Sequence, residues 1–311
     1  MNYCFAVIDL GSNSVRMSIN AVSGGGEWRV LKKMRETVRL SEGMSRDNFL
    51  KENSMCRVIE ALGRFCETAR EYKCLSVAAI ATAAVRNAAN REMFLERVKK
   101  ATGITFEVIS GEQEAYYSYL AVRETLGIKD GVIFDTGGGS TEISLVLGGE
   151  LKNSVSLPLG AVVLTERTLH STQMQLYRYT ASHIGAISWL DKCEGLPVYG
   201  IGGSARTMAS LYKRRTLAPS ELDGLKIPYA SVAKIYQKVF NTAPSERKNI
   251  AGMDISRADV ILAGLTPAKV IMDMTGSPHA VICAGGVKEG VFFRMKNEVM
   301  NKIKNGENNA L

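Results

Sequence analysis

The sequence predicts an α/β protein built from two related halves, and three observations carry that prediction. Strand-like runs rich in branched and aromatic residues alternate with segments whose apolar residues recur at helical spacing. A chain of 311 residues with 46% hydrophobic content has the length and apolar material for about two domains. An order of apolar strand, Asp, glycine turn, Ser or Thr, and second strand occurs twice, as AVIDLGSNSVRMSIN and as VIFDTGGGSTEISLVL. The copies lie 126 residues apart and match Asp9, Gly11, Ser14 and Ser18 with Asp135, Gly137, Ser140 and Ser144.

The elements follow in order. YCFAVIDLG and SVRMSINAV read as antiparallel strands around a glycine-containing turn, and EWRVLKKMRETVRL continues the sheet after Gly24-Gly25-Gly26. From about Lys51 to Tyr72, Met55, Val58, Ile59, Leu62 and Phe65 recur at helical spacing. CLSVAAIATAAV reads as a strand, REMFLERVKKATG as a helix closed by Gly103, and ITFEVIS as a strand. In SGEQEAYYSYLAVRETLG, Ser110 and Gln113 form a capping box and Gly127 supplies a stop, which puts Glu112 and Glu114 in the first helical turn.

After the second Asp-glycine loop, LPVYGIGGSARTMASLY reads as a strand and glycine turn entering a helix, and a polar region runs to about Arg257. ADVILAGLTPAKVIMDMTG is apolar on nearly every side and predicts a buried helix. HAVICAGGVKEGVFFRMKNEVM reads as a final strand, a Gly285-Gly286 turn and a terminal helix, before a polar tail, NKIKNGENNAL, expected to fray.

Composition excludes several classes. Thirty-nine Lys and Arg against 31 Asp and Glu leave a formal charge of +8, which suits polyanionic partners but falls short of a nucleic-acid-binding arm. The longest cationic cluster, Lys213-Arg214-Arg215, reads as a solvated face or a phosphate contact. Six cysteines show no Cys-x-x-Cys pair and no His at zinc-ligand spacing, so reduced thiols are expected. The N-terminus has no basic leader, Asp9 interrupts its apolar run, and no apolar run reaches spanning length. A cytoplasmic protein without a membrane partner is the expectation.

A dinucleotide fingerprint requires its glycines to open a helix. Thr141, Ile143, Leu145 and Val146 after DTGGGS are strand-like, so this turn joins two strands instead. Glycines in such a turn expose successive backbone N–H groups as a nest for phosphate, the alternative being a plain hairpin turn. Asp9 and Asp135 end the strands before the paired loops, and carboxylates beside phosphates call for a hard cation, with Mg2+ the usual one. Two facing halves with phosphate loops around a metal describe the superfold of actin, Hsp70 and sugar kinases, a pair of actin-like (ASKHA, ribonuclease H-like) α/β domains.

The set AVIDLGSNSVRM, ATAAVRNAANR, VISGEQEAYYSYLAV, FDTGGGSTEISLV, LPLGAVVLTE and YGIGGSARTMA, with SRADVILAG and AGGVKEGVFF near the end, strongly resembles the exopolyphosphatase and guanosine pentaphosphate phosphohydrolase family, Ppx/GppA. The resemblance spans residue 6 to about 292. It implies two actin-like domains with the active site in an interdomain cleft, and Mg2+-assisted removal of terminal phosphate from polyphosphate or pppGpp. By the same resemblance the catalytic glutamate falls on Glu114, and phosphate and metal elements on Asp9, Gly11, Ser12 and Asn13 and on Asp135, Gly137, Gly138, Gly139 and Ser140. Glu142 matches a further family acid, and Arg86 the arginine of its Thr-x-x-x-Arg segment.

These assignments make independent chemical sense. Water attacking a terminal phosphoryl group needs a base, with donors and a metal on the equatorial oxygens. Glu114 in a first helical turn is near the positive helix end, and Arg86 can offer bidentate hydrogen bonds to phosphate. Glu112 competes for the base role but is rotated from Glu114 by about 200° on a helix of 3.6 residues per turn. Asn13 also suits a turn. Gly202, Gly203, Ser204 and Ala205 read either as a further anion loop or as a helix entry with Ser204 as its cap.

The expected organisation is 1–124 for domain I, with residues from about 296 to 311 packing back on it, and 125–295 for domain II. Longer family members continue into an HD-type helical domain, and with His only at 170, 183 and 279 none is expected here. That favours short polyphosphate chains. A homodimer is expected by analogy within the family. The competing functions are a kinase of the same superfold, with an adenosine pocket near Gly200 to Ala205, and a noncatalytic sensor of polyphosphate or an alarmone.

Overall fold

The computed structural model describes residues 2–44, 47–167 and 172–304, and the chain divides into two compact units, Met1–Tyr117 with Val287–Leu311 and Ser118–Gly286. His170 and residues 305–311 of the polar tail lie outside the described residues. The boundaries expected near 124 and 295 fall inside helices Gly111–Leu126 and Val287–Lys304, so the first unit takes the terminal helix from its start.

The first unit opens with a meander of β1 (Asn2–Leu10), β2 (Ser14–Ser23) and β3 (Trp28–Thr37). α1 (Glu52–Glu71) follows and buries Met55, Val58, Leu62 and Phe65, a spacing of three and four residues that puts them on one helix face. Next come β4 (Ser76–Ala81), a single helical turn α2 (Ala83–Arg86), α3 (Arg91–Thr102), β5 (Glu107–Val108) and α4 (Gly111–Leu126), which carries the chain into the second unit. The sheet order is β3-β2-β1-β4-β5, antiparallel across the meander and parallel from β1 through β4 to β5. Ile8, Leu10, Met17, Ile19, Leu62, Phe65 and Phe94 form its core.

Two strands are shorter than the sequence predicts. β4 stops at Ala81 because Val85 and Arg86 turn their N–H groups back to the Thr82 carbonyl, starting a helix within TAAVR. β5 keeps only two ladder residues, while Ile104 and Phe106 still enter the core from an extended approach. α3 ends as expected on Gly103, whose φ of 76° is the left-handed conformation that glycine adopts without a Cβ penalty.

The second unit repeats the plan. β6 (Gly131–Thr136), β7 (Thr141–Leu147) and β8 (Glu150–Leu157) form an antiparallel meander, followed by α5 (Ala161–Arg167) and α6 (Gln173–Gly185). β9 (Val198–Ile201) runs parallel to β6 and leads directly into α7 (Gly202–Lys213). The segment expected as a polar region holds the short α8 (Pro219–Leu222), β10 (Leu225–Pro228) and α9 (Tyr229–Asn241). α10 (Ile261–Thr275) is buried on most of its circumference, as its composition predicts, and β11 (His279–Ile282) precedes the terminal helix α11 (Val287–Lys304).

The second sheet has the order β10-β11-β9-β6-β7-β8. Setting aside the edge strand β10, β8-β7-β6-β9-β11 has the order and directions of β3-β2-β1-β4-β5. The chain is thus two α/β domains of the actin-like, ribonuclease H-like class. All six cysteines are free thiols, and no described helix is long and apolar enough to cross a membrane.

Candidate active site

In both units the predicted site residues sit at the C-terminal ends of parallel strands, where open α/β sheets place their ligands. In the first unit β1 ends in Asp9-Leu10, β4 leads to Arg86, and β5 leads to the α4 start that carries Glu114. A run of hydrogen bonds ties these ends together. Thr82 N–H donates to the Leu10 carbonyl (3.2 Å), Ile109 N–H to the Ala81 carbonyl (3.0 Å), and the Arg86 guanidinium to the Ile109 carbonyl (2.8 Å).

The α4 start is capped as its sequence predicts. Gln113 N–H donates to Ser110 Oγ (3.1 Å) and Ser110 N–H donates to Gln113 Oε1 (2.8 Å), which satisfies two N–H groups that the first helical turn cannot bond internally. With the helix phase fixed, Glu112 is exposed and Glu114 is buried at 7% exposure. The Glu114 carboxylate accepts from Arg86 Nη1 at 3.2 Å, and Arg86 keeps 21% of its side chain exposed. One guanidinium therefore fixes a buried carboxylate and still presents a face to solvent.

The two Asp-glycine loops are folded alike. Gly11 N–H donates to the Ser14 carbonyl (3.1 Å), and Gly137 N–H donates to the Ser140 carbonyl (3.0 Å). Each loop is also braced from behind by the segment that follows its meander. The Ser12 carbonyl accepts from Ser41 N–H (3.0 Å), and the Asn13 carbonyl from Val38 (3.0 Å) and Arg39 (2.9 Å). In the second unit the Gly137 carbonyl accepts from Ala161 N–H (2.8 Å) and the Gly138 carbonyl from Val162 N–H (3.0 Å).

A peptide unit whose carbonyl is held on one side presents the following N–H on the other. The brace thus orients the N–H groups of Gly138 and Gly139, which make no backbone or side-chain hydrogen bond among the described residues, as a phosphate nest requires. Gly160 belongs to this brace, since a Cβ there would overlap the backbone of Gly138 and Gly139. Ser12 and Ser140 are both buried, at 5% exposure.

α7 begins immediately after β9, and its N-cap residue Ile201 has no side chain to cap with. Ser204 is the third residue of the helix rather than its cap. Its hydroxyl is buried against Gly264 and lies 3.4 Å from the Thr136 carbonyl, so the cap reading of Ser204 is replaced by a packing role. The leading N–H groups of α7 are left to solvent or a ligand, the arrangement that binds anions at helix N-termini. Gly202 has a φ of 77°, and a Cβ there would overlap Asp135 Oδ1, so Asp135 leans directly on the start of α7.

Arg257, which the sequence reading did not single out as a site residue, lies on this same helix end. Its guanidinium covers Gly203 so closely that any side chain at 203 would overlap it, and only 12% of it is exposed. Asp254 lies 3.9 Å from its Nε and Asp135 leans on the same helix start, so acids already offset this cation at the positive helix end. The sequence signal was the SRADVILAG motif, but nothing in its spacing ties it to YGIGGSART.

Asp135 and Glu142 face each other across the β6–β7 ladder, so their side chains share one face of the sheet, and both are buried, at 9% and 2% exposure. Ser156 Oγ donates to Glu142 Oε1 at 2.7 Å. Two buried carboxylates this close call for a cation, and hard oxygen donors suit Mg2+. No group of three or more His, Cys, Asp or Glu is gathered at one point among the described residues. In the first unit the register partner of Asp9 is Arg16, a cation where the second unit has an acid.

A sequence model of the Ppx/GppA phosphatase family matches residues 18–299. Exopolyphosphatase 1 of Mycobacterium tuberculosis is 29% identical over 93% of this chain and 87% of its own length. Guanosine-5'-triphosphate,3'-diphosphate pyrophosphatase of Vibrio vulnificus is 27% identical over 95% of this chain and 60% of its own length. The chain spans 47% of a third relative, a bifunctional 3-dehydroquinate synthase/phosphatase of Fusobacterium nucleatum. The crystal structure of the Aquifex aeolicus Ppx/GppA family member superposes with a TM-score of 0.82 at 29% identity, over 97% of this chain and 99% of that one.

Proposed function

Because the chain belongs to the Ppx/GppA phosphatase family, we propose that it hydrolyses the terminal phosphoanhydride of inorganic polyphosphate, short chains above all, or of pppGpp to give ppGpp. Water adds to the terminal phosphorus, the bridging P–O bond breaks, and orthophosphate leaves with the shortened product. The observation that carries this reading is Glu114, buried in the first turn of α4 and held by Arg86, while its neighbour Glu112 points to solvent.

Glu114 orients the attacking water and takes its proton, as a general base must. Arg86 fixes that carboxylate and turns its remaining donors to a phosphate oxygen. The backbone N–H groups of Gly138 and Gly139, and in the first unit those of Ser12 and Asn13 that follow Gly11, receive further phosphate oxygens. The start of α7 at Gly202 and Gly203, with Arg257, holds another anionic group of the substrate. Mg2+ would be held by Asp135 and Glu142, with Asp9 the corresponding acid of the first loop, and would neutralise charge on the phosphate oxygens.

Hydrolysis is favoured over phosphotransfer because the matching family is one of phosphatases. A sensor would need the loops but not Glu114. The reading is tested by measuring phosphate release from polyphosphates of several defined lengths and from pppGpp, with Mg2+, for the wild type and Glu114→Gln. Loss of more than about hundredfold in turnover is the expected result of removing a general base. Unchanged turnover would reject Glu114 as the base, and tight binding of either ligand without release would support the sensor.

A further inference from the structure

A cavity of about 400 Å³ opens in the second unit between the C-terminal end of α7, α9 and the turn at Ile250-Ala251. It is separate from the glycine loops, since Leu211 on its wall stands about 13 Å along α7 from Gly202 at 1.5 Å per residue. The turn is seated firmly. Gly252 has a φ of 88° and packs on the backbone of Ser210 and Leu211 with no room for a Cβ.

The floor is apolar, made by Leu211, Val239 and Ile250, all buried, with the half-buried Ile235. The rim is cationic. Arg214, Lys234 and Lys238 are exposed at its edge, and no carboxylate lines it. Lys234 and Lys238 are one helical turn apart on α9, a like-charge spacing that is unfavourable by itself. None of the three makes an ion pair among the described residues.

The Lys213-Arg214-Arg215 cluster divides its work here. Arg215 forms a two-pronged pair with Glu221, and Lys213 lies 5.5 Å from the centre of the Tyr212 ring. Arg214 instead ends α7 in the left-handed conformation, φ 57°, where an L side chain is disfavoured, and stands at the cavity. Three cations without acidic partners around an apolar floor of ligand size describe a pocket for a molecule with an anionic head and an apolar body.

We infer that this cavity binds an organic monophosphate with an apolar or aromatic body, at a site independent of the hydrolytic residues. The floor takes the body, and Arg214, Lys234 and Lys238 take the phosphate.

The test is calorimetric titration with 1-naphthyl phosphate at low salt. Saturable binding to the wild type, weakened by about tenfold or more in Lys234→Glu/Lys238→Glu, is the expected result for loss of two charged contacts. Ile235→Ser, which removes apolar floor and keeps the cations, is expected to weaken it as well, and melting curves of both variants check that the fold is kept. Lys234→Gln/Lys238→Gln repeats the charge test should the reversed charges unfold the chain. Equal affinity in wild type and charge variants, or no saturable binding to the wild type, would overturn the site. Displacement by inorganic phosphate as effective as by 1-naphthyl phosphate itself would overturn the apolar half of the specificity.

Discussion

The carbonyl oxygen of Gly138 occupies the space into which a Cβ on Gly160 would project, and it accepts the N–H of Val162 two residues further on. The loop and the start of α5 are therefore in backbone contact, with no side chain between them. Gly160→Ala forces them apart. Overpacking of this kind costs about 1–3 kcal/mol. The larger effect is expected on chemistry, because the displaced carbonyls carry the N–H groups of Gly138 and Gly139 with them. Phosphate release should fall well beyond the loss expected from the drop in melting temperature.

Ser110→Ala removes one half of the α4 capping box and leaves Gln113 N–H without its partner. Loss of an N-cap costs about 1 kcal/mol, and the urea midpoint is expected to fall by that loss divided by the m-value. The affected turn positions Glu114, so kcat should fall while KM changes little.

Arg257→Ala clears the guanidinium from Gly203 and leaves the helix end facing a substrate anion alone. Charged hydrogen bonds contribute about 1.5–3 kcal/mol each, so kcat/KM is expected to fall by about tenfold or more. Arg257→Lys should recover only part of it, since a lysine cannot lie flat over Gly203. Full activity in Arg257→Ala would remove this residue from the site.

Asp135→Asn tests the carboxylate pair directly. Mg2+ titration by calorimetry without substrate should lose its binding signal in the variant, with Glu142 left as the single acid of the pair. An undiminished Mg2+ signal would place the metal elsewhere.

The Glu52 and Arg97 side chains form a two-pronged ion pair between α1 and α3, 2.7 Å at each contact, and Arg97 holds the Glu52 carboxyl down to about 2. A folded-state value below the unfolded one means stability present above the ordinary carboxyl range and lost as pH falls towards the folded value. The melting temperature of Glu52→Gln should thus lie below the wild type at neutral pH and converge with it as the pH approaches 2. Both side chains are exposed, so the gap should also shrink with added salt.

Local chemistry made some features readable in advance. The capping box at Ser110 and Gln113 is an interaction within one turn, and so is the helix stop at Gly103. The outward Glu112 and inward Glu114 follow once that turn fixes the helix phase. The repeated loops were legible because the same short motif had to build the same turn twice.

What escaped was set by contacts distant in sequence. Arg257 reaches Gly203 across more than fifty residues, and nothing local marks it. α9 was hidden although Val232, Tyr236 and Val239, its buried stripe, recur at helical spacing, because the polar stretches on either side of it read as one continuous region. The end of β4 at Ala81 depended on Thr82 taking two helical N–H groups, in a stretch whose alanines suit either state.

The braces behind the two loops also bear on what can be cut out and still work. Ser41 and Ser12 are 29 residues apart, and Val162 and Gly138 are joined across the whole β7–β8 hairpin. A peptide carrying DTGGGST alone would have the glycines but nothing to hold their carbonyls back, and would sample many shapes before meeting an anion. On the proposed function, the smallest fragment able to hold phosphate is the complete meander with the turn after it. Phosphate affinity would then be gained or lost together with the docking of residues 160–163.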